Sequence, residues 1–198
     1  MSNRAFSLAE RATCTANTQV SISPSGLFGF ALSAIFLNLI QTGLFSISIT
    51  ILAMGVFYGG VTQITVGLVE WHRNNAFGAT VFVAFGLFWL SLVGFIILPE
   101  AGWGVIPQGT VLSAYFFLWG AFTLILLANA TQLDFSVRMV FLLLVVYFIV
   151  FSIGEGTGIP LVETIANYCG FAVGGAAVYA GMSKIAKQLF GTSAAAKG

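Results

Sequence analysis

The chain alternates between apolar runs of membrane length and short polar breaks. Six such runs fall at about 24–41, 48–70, 77–98, 110–129, 136–153 and 160–185. Each is near the roughly 20 residues that a helix needs to cross hydrocarbon. The breaks carry turn chemistry: Pro99 ends the third run and Pro107 precedes the fourth, while Gly154-Glu155-Gly156-Thr157-Gly158 followed by Pro160 parts the fifth from the sixth. Asp134 and Ser136 open the fifth run, where acceptors cap orphan amides. The connections are short, so consecutive helices are expected to be antiparallel neighbours in one all-α integral membrane domain of six transmembrane helices. That domain is expected over residues 23–186. A flexible cytoplasmic tail at 1–22, polar and without the apolar run of a signal peptide, precedes it, and a cytoplasmic C-terminal tail at 187–198 follows. A sought inverted repeat of three plus three helices finds only a loose echo of Gly26–Phe30 in Phe85–Phe88, which would pair spans one and three and counts as chance.

Charge orients the bundle. The seven Lys and Arg residues are Arg4, Arg11, Arg73, Arg138, Lys184, Lys187 and Lys197, and the six-span reading puts them all on one side. The turns near Gly43, over 99–109 and over 154–160 have none. Cations stay in the cytoplasm, so both termini are expected there. Composition agrees: 59% of residues are hydrophobic, 7% are charged, and the mean hydropathy is +1.01. A soluble domain carries roughly a quarter charged residues. A formal charge of +1 offers no basic patch for phosphates, which argues against nucleic acid as a partner.

The spans hold small and polar residues in patterns that bear on function. Gly55 and Gly59 form a small-xxx-small pair, and span six carries Gly170, Gly174, Gly175, Ala177 and Gly181. Such faces let backbones approach closely in lipid, either inside one bundle or between subunits. Gly60, Gln63, Gly67 and Glu70 share one helix face. That stripe suits either a wet path or a helix–helix hydrogen bond. Ser23-Pro24-Ser25-Gly26 starts span one, with Ser23 placed to cap and proline in the first turn. Its free amides are either a well-made helix start or an anion site. Of the 20 phenylalanines, Phe30, Phe85, Phe88 and Phe148 lie at mid-helix depth with Leu144. An apolar ring at that depth gates a pore by excluding water, and lipid-facing packing is the competing explanation. Trp71, Trp103, Tyr115 and Tyr179 are expected at the interfaces, with Trp89 and Trp119 deeper.

Other chemistry is scarce. No Lys or Arg sits in mid-membrane, which argues against a Schiff base or a voltage sensor. The single histidine, His72, cannot make a haem pair or a metalloprotease site. Cys14 and Cys169 lie in different surroundings, so neither a disulfide nor a metal site is expected. Carboxylates stay at helix ends: Glu70 and Asp134 inside, and Glu100, Glu155 and Glu163 outside. No cluster of nucleophile, base and metal ligands lies in the spans, so neither an enzyme nor a cofactor is expected.

Several strings resemble one family. Ser23–Phe30 is similar to the Asn-Pro-x-Pro-Leu-Gly-Leu signature that opens the first helix of acetate uptake transporters, the succinate–acetate permease family, and Leu37-Asn38-Leu39 fits as well. The stretch from Ile51 to Gly60, with Gln63, Gly67 and Glu70 after it, resembles that family's second helix. So do Phe77–Thr80, Phe85–Leu90 and Leu118–Thr123 with theirs; the likeness runs from Ser21 to Lys184. It implies a six-helix protomer in a hexamer in the plasma membrane. A separate path through each protomer would carry acetate and sometimes succinate or other short carboxylates. It also implies a constriction of three side chains from helices one, three and five, which fall here on Phe30, Phe85 and Leu144.

The chain departs from the pattern in places. Ser21 replaces the signature Asn, Pro24-Ser25 replaces its second Pro-Leu pair, and Phe85 stands where relatives often carry Tyr. Glu155 and Glu163 add negative charge at the outer mouth. The carboxylate is expected to be seated by span-one amides at Ser23, Ser25 and Gly26 and by Gln63, ahead of a dehydrating constriction at Phe30, Phe85 and Leu144, in a channel-like or proton-coupled passage. Channels for formate, ammonia or glycerol, and a non-transporting assembly protein, are the alternatives.

Overall fold

The computed structural model describes residues 22–42 and 49–195, with side chains described to residue 190. The N-terminal tail with Arg4, Arg11, Cys14 and Ser21, the turn at Gly43, and Lys197 lie outside the described residues. Six helices are long and apolar enough to span a membrane. They are α1 (Pro24–Gln41), α2 (Ile49–His72), α3 (Ala76–Glu100), α4 (Thr110–Asn129), α5 (Phe135–Thr157) and α6 (Pro160–Ala195). No strand occurs among the described residues. In hydrocarbon an open backbone group has no water to bond, so continuous helix is the stable state even for glycine-rich sequence.

That pressure overrides one expected break, whereas α3 ends at Glu100, one residue past Pro99, as expected. The Gly154–Thr157 stretch stays helical, and α5 stops only at Gly158, left-handed at φ 64°. Helix α6 runs ten residues past the expected end of span six. An irregularity the sequence did not announce lies inside α2, where Gly55–Thr62 is π-helical.

The helices form a ring in chain order. Helix α1 packs on α2 and α6, α2 on α3, α4 on α5, and α5 on α6. Between α3 and α4 the ring closes through aromatic side chains: Phe88 stacks on Tyr115 at 5.9 Å and meets Trp119 edge-on at 5.0 Å. Tyr115 is half-buried against the interior cluster, and its hydroxyl lies 2.5 Å from Ser91 Oγ. Trp71, Trp103 and Tyr179 are exposed, as belt residues should be. The outer surface is apolar, with Phe57, Leu68, Val111, Leu118, Ile125 and Leu161 all exposed. A soluble monomer does not carry so continuous an apolar coat.

Glycine sets the close approaches inside the ring. A Cβ on Gly59 would meet the Trp89 ring, and one on Gly174 would meet Ile35 at 2.5 Å. Gly170 lies against the Asn38 amide and Gly181 against Phe28. These small faces are thus spent within the bundle, while Gly175 faces open space.

The described cations gather at one end of the bundle. Asp134 occupies the N-cap position of α5 but makes no side-chain cap. It accepts instead from Lys184 Nζ at 2.9 Å and Lys187 Nζ at 3.0 Å, tying the start of α5 to the end of α6. Those hydrogen bonds, Lys184 first, hold its carboxyl below the usual carboxylate range. A depressed folded pKa adds stability above the unfolded value and loses it as pH falls through the folded one. Asp134→Asn should therefore lower the melting temperature at neutral pH, with the gap to wild type closing as the medium is acidified below the carboxylate range. The carboxylate is 36% exposed, so added salt should shrink the same gap. Melts across pH and salt check both.

Candidate functional site

The odd-numbered helices converge at mid-depth. Phe30 of α1 meets Phe85 of α3 edge-on, with centroids 5.8 Å apart, and meets Trp89 at 6.3 Å. Leu144 of α5 closes the third side, and Phe30, Phe85 and Leu144 are all buried. Phe88 braces them from behind, edge-on to Phe85 and to Phe148. The three residues expected to form a constriction therefore share one place. They form a tightly packed waist, each less than a tenth exposed.

Small cavities lie on both sides. Toward the basic end is one of about 30 Å³, lined by Gln63, Ile22, Leu27 and all three waist residues. Toward the opposite end is one of about 10 Å³, lined by Phe30, Leu144, Asn38, Trp89 and Tyr147 among others. Phe30 and Leu144 wall both, so they are the partition between them. Beyond the second cell, sharing Leu37 and Trp89 with it, opens a vestibule of about 250 Å³ that reaches Gln41 and Glu155. A single water needs about 10–15 Å³ of such space. The two cells thus have room for water but not for an organic acid until side chains move.

Gln63 is 1% exposed, and neither its Nε2 nor its Oε1 has a hydrogen-bond partner. Leaving a buried polar group unmade costs about 1–3 kcal/mol, so two such atoms on one amide stand out among the buried groups. The sequence stripe puts it there: Gly60, Gln63, Gly67 and Glu70 are all buried on one face of α2. The glycines press on Leu90 and Val83 of α3, and Glu70 accepts from Asn75 Nδ2 at 2.7 Å. The π-helical turns end just before Gln63, and such departures from α-geometry are frequent at functional sites.

Ser23, Ser25 and Gly26 are arranged otherwise than their sequence suggests. Ser23 stands at the N-cap of α1 without capping it; its hydroxyl lies 3.0 Å from that of Ser25. Gly26 is buried where a Cβ would strike the Phe82 ring, so its visible work is to bring α1 onto α3. None of the three lines either cell.

Asn38, Trp89 and Tyr147 were not singled out as pore residues, yet all three line the second cell. Helical phase carried the signal. Asn38 is eight residues beyond Phe30, Trp89 four beyond Phe85 and Tyr147 three beyond Leu144, so each lies on the face of its own waist residue.

Six apolar helices around an apolar waist, with a small cavity on each side, define a multi-pass membrane protein of the transport class. Comparison narrows this. The chain belongs to the GPR1/FUN34/yaaH family, whose sequence profile matches residues 10–192. It is 37% identical over 169 residues to the "Succinate-acetate/proton symporter SatP" of Escherichia coli K12, covering 85% of this chain and 90% of the relative. It is 33% identical over 146 residues to the "Ammonia transport outward protein 2" of Saccharomyces cerevisiae, covering 69% of this chain and 51% of the relative. Among solved structures, that of the bacterial acetate channel SatP superposes with a TM-score of 0.82 at 38% identity, covering 85% of this chain and 93% of the other.

Proposed function

We propose that this protein carries acetate, and with it other short carboxylic acids including succinate, through a path in each protomer. The observation that carries the reading is Gln63, fully buried with a free donor and a free acceptor against the waist of Phe30, Phe85 and Leu144. An amide with both atoms free complements a carboxyl group that still holds its proton: the N–H bonds the acid's carbonyl and the amide oxygen takes its O–H. Stripping a carboxylate of water costs of order 20 kcal/mol in the idealised Born limit. No Lys or Arg lines either cell to repay that. The acid therefore crosses the waist neutral, or together with a proton. The protein acts as a transporter and not as an enzyme.

The assembly we infer is a homo-hexamer in the plasma membrane, with the basic end in the cytoplasm. The described cations Arg73, Arg138, Lys184 and Lys187 support the orientation, and the family resemblance supports the subunit number. Ser23, Ser25 and Gly26 stay in this reading as the cytoplasmic mouth, where the free amides of α1 greet the acid.

Uptake of labelled acetate into liposomes over a pH series tests the reading. Flux should follow the undissociated acid, and Gln63→Leu should cut it about tenfold, the worth of one good hydrogen bond. Flux that follows the anion and ignores protonation rejects the neutral passage, and wild-type Gln63→Leu flux removes Gln63 from the path. The yeast relative's name gives ammonia as a second cargo, for which ammonium-driven uptake in the same vesicles is the check.

A further inference from the structure

The carboxyl of Glu155 does nothing visible for the fold. Glu70 accepts from Asn75, and Asp134 is held by Lys184 and Lys187. Glu155, in the last turn of α5, is half-buried and makes no hydrogen bond or ion pair among the described residues. It lines the vestibule of about 250 Å³, which has room for an acetate ion where the two cells do not. Among the described residues that line the vestibule and the cells, Glu155 is the one whose side chain gains and loses a proton in the acid-to-neutral range. Tyr147, the other titratable side chain there, keeps its proton to far more alkaline pH.

Its surroundings hold no cation. Helix α6 brings Glu163, whose Cγ would lie 3.2 Å from a Cβ on Gly154. Helix α4 brings Ser113, whose hydroxyl already donates to the Ser152 carbonyl at 2.7 Å. Helix α1 brings Gln41, and the segment before α4 brings Ile106 and Pro107. Helices α2 and α3 line the vestibule with uncharged side chains, α3 ending at Glu100. Tyr147 lies two turns earlier on α5, within electrostatic reach. The described Lys and Arg residues gather at the opposite end. Nothing therefore locks the Glu155 carboxylate as Lys184 and Lys187 lock that of Asp134.

An acid that crosses the waist neutral has to lose its charge beforehand, and the vestibule is the last roomy space on that side. Glutamic and acetic acids carry the same functional group, so a proton passes between them with little difference in free energy. We propose that Glu155 is the proton donor of the outer vestibule and protonates the incoming carboxylate there. The O–H bond of the Glu155 carboxyl breaks and an O–H bond forms on an acetate oxygen. The undissociated acid goes on to the waist, and the Glu155 carboxylate takes its next proton from the outer water. The inference rests on the carboxylic-acid reading of the protein and adds where the acid gains its proton. An anion and a proton that meet at Glu155 enter as the same product of concentrations as the acid arriving whole, so flux near neutrality still follows the undissociated acid. Glu155 enlarges the supply, because the anion far outnumbers the acid at that pH.

The full chain in liposomes tests this. Wild-type acetate uptake above empty vesicles is the first requirement; its absence rejects the carboxylic-acid reading itself. Given that uptake, Glu155→Gln keeps the size of the side chain and removes its proton. It should lower the initial rate near neutral pH at least about tenfold. Near the acid's own pKa, where the solution supplies undissociated acid directly, the variant should match wild type. That recovery also shows that the variant is folded and its path open. Undiminished neutral flux overturns the proposal. So does an equal loss at both pH values, which a merely structural role would give. Glu163→Gln removes the neighbouring charge but no side chain from the vestibule lining, and it should keep the wild-type pH profile. A matching neutral-pH loss in Glu163→Gln would assign the effect to the negative potential of that end and overturn Glu155 as the donor.

Discussion

Leu144→Ala should let larger acids through. Leu144 is one of two side chains that wall both cells, and it is 3% exposed. Its removal joins spaces of about 10 and 30 Å³ and adds the volume of the lost side chain. Unlike Phe30 or Phe85, it has no ring partner that would swing in to refill the gap. Succinate or butyrate flux relative to acetate should rise at least about tenfold, the discrimination that one or two methylenes provide in an apolar pocket. A buried Leu→Ala change costs about 2–5 kcal/mol in a dry core. Phe85→Ala should act in the same direction. Leu142→Ala, two residues away on the exposed face, should leave selectivity unchanged. Flux of acetate, butyrate and succinate in one vesicle preparation reads all three, and unchanged size selectivity in both Leu144→Ala and Phe85→Ala would remove them from the constriction.

Phe30, Phe85 and Leu144 were marked out by the family resemblance, since mid-depth position alone left pore gating and lipid-facing packing equally open; what coarse pattern gave was the spans, and those for α1 and α4 coincide with the expected 24–41 and 110–129. The Gly60–Glu70 stripe was legible because helical spacing alone puts its members on one side. Misses came where tertiary contact or solvent outranks local preference. The Gly154–Thr157 run reads as a break by rules learned in water, and lipid removes the alternative partners that a break would need. Asp134 reads as a cap from its position, but two ammonium groups from α6, fifty residues on, outbid the local amides. The second cell was hidden because Asn38, Trp89 and Tyr147 come from three different helices, and only the ring of helices brings them together. The π-helical turns in α2 had no sequence signal apart from glycine. They lie where Gly55, Gly59 and Gly60 press against Val93, Trp89 and Leu90 of α3.

Gly86→Val should be among the most damaging single changes in the chain. A Cβ at Gly86 would sit 2.6 Å from Ile64 Cγ1, 2.9 Å from the Gly60 carbonyl oxygen and 3.1 Å from the Ile64 amide nitrogen. Two of these are backbone atoms, so no rotamer can relieve the clash, and α2 must move away from α3. Overpacking of this kind costs about 1–3 kcal/mol, and the upper end is expected for a branched side chain against main chain. The consequence for transport is larger than for stability. Gly60 and Ile64 flank Gln63 on α2, and Gly86 is next to Phe85 on α3. The displacement therefore lands on the contact that sets the amide against the waist. A 1 Å misplacement is enough to cost about a hundredfold where geometry governs rate. Gly94→Ala is the control: it lies on the same helix, and its nearest neighbour is Leu98 Cδ1 at 3.9 Å. It should be neutral, or stabilising by up to about 1 kcal/mol through helix propensity. Melting temperature and acetate flux of the two variants separate the cases. If Gly86→Val keeps wild-type flux, then the register of α2 on α3 does not position Gln63, and the amide's role at the waist must be given up with it.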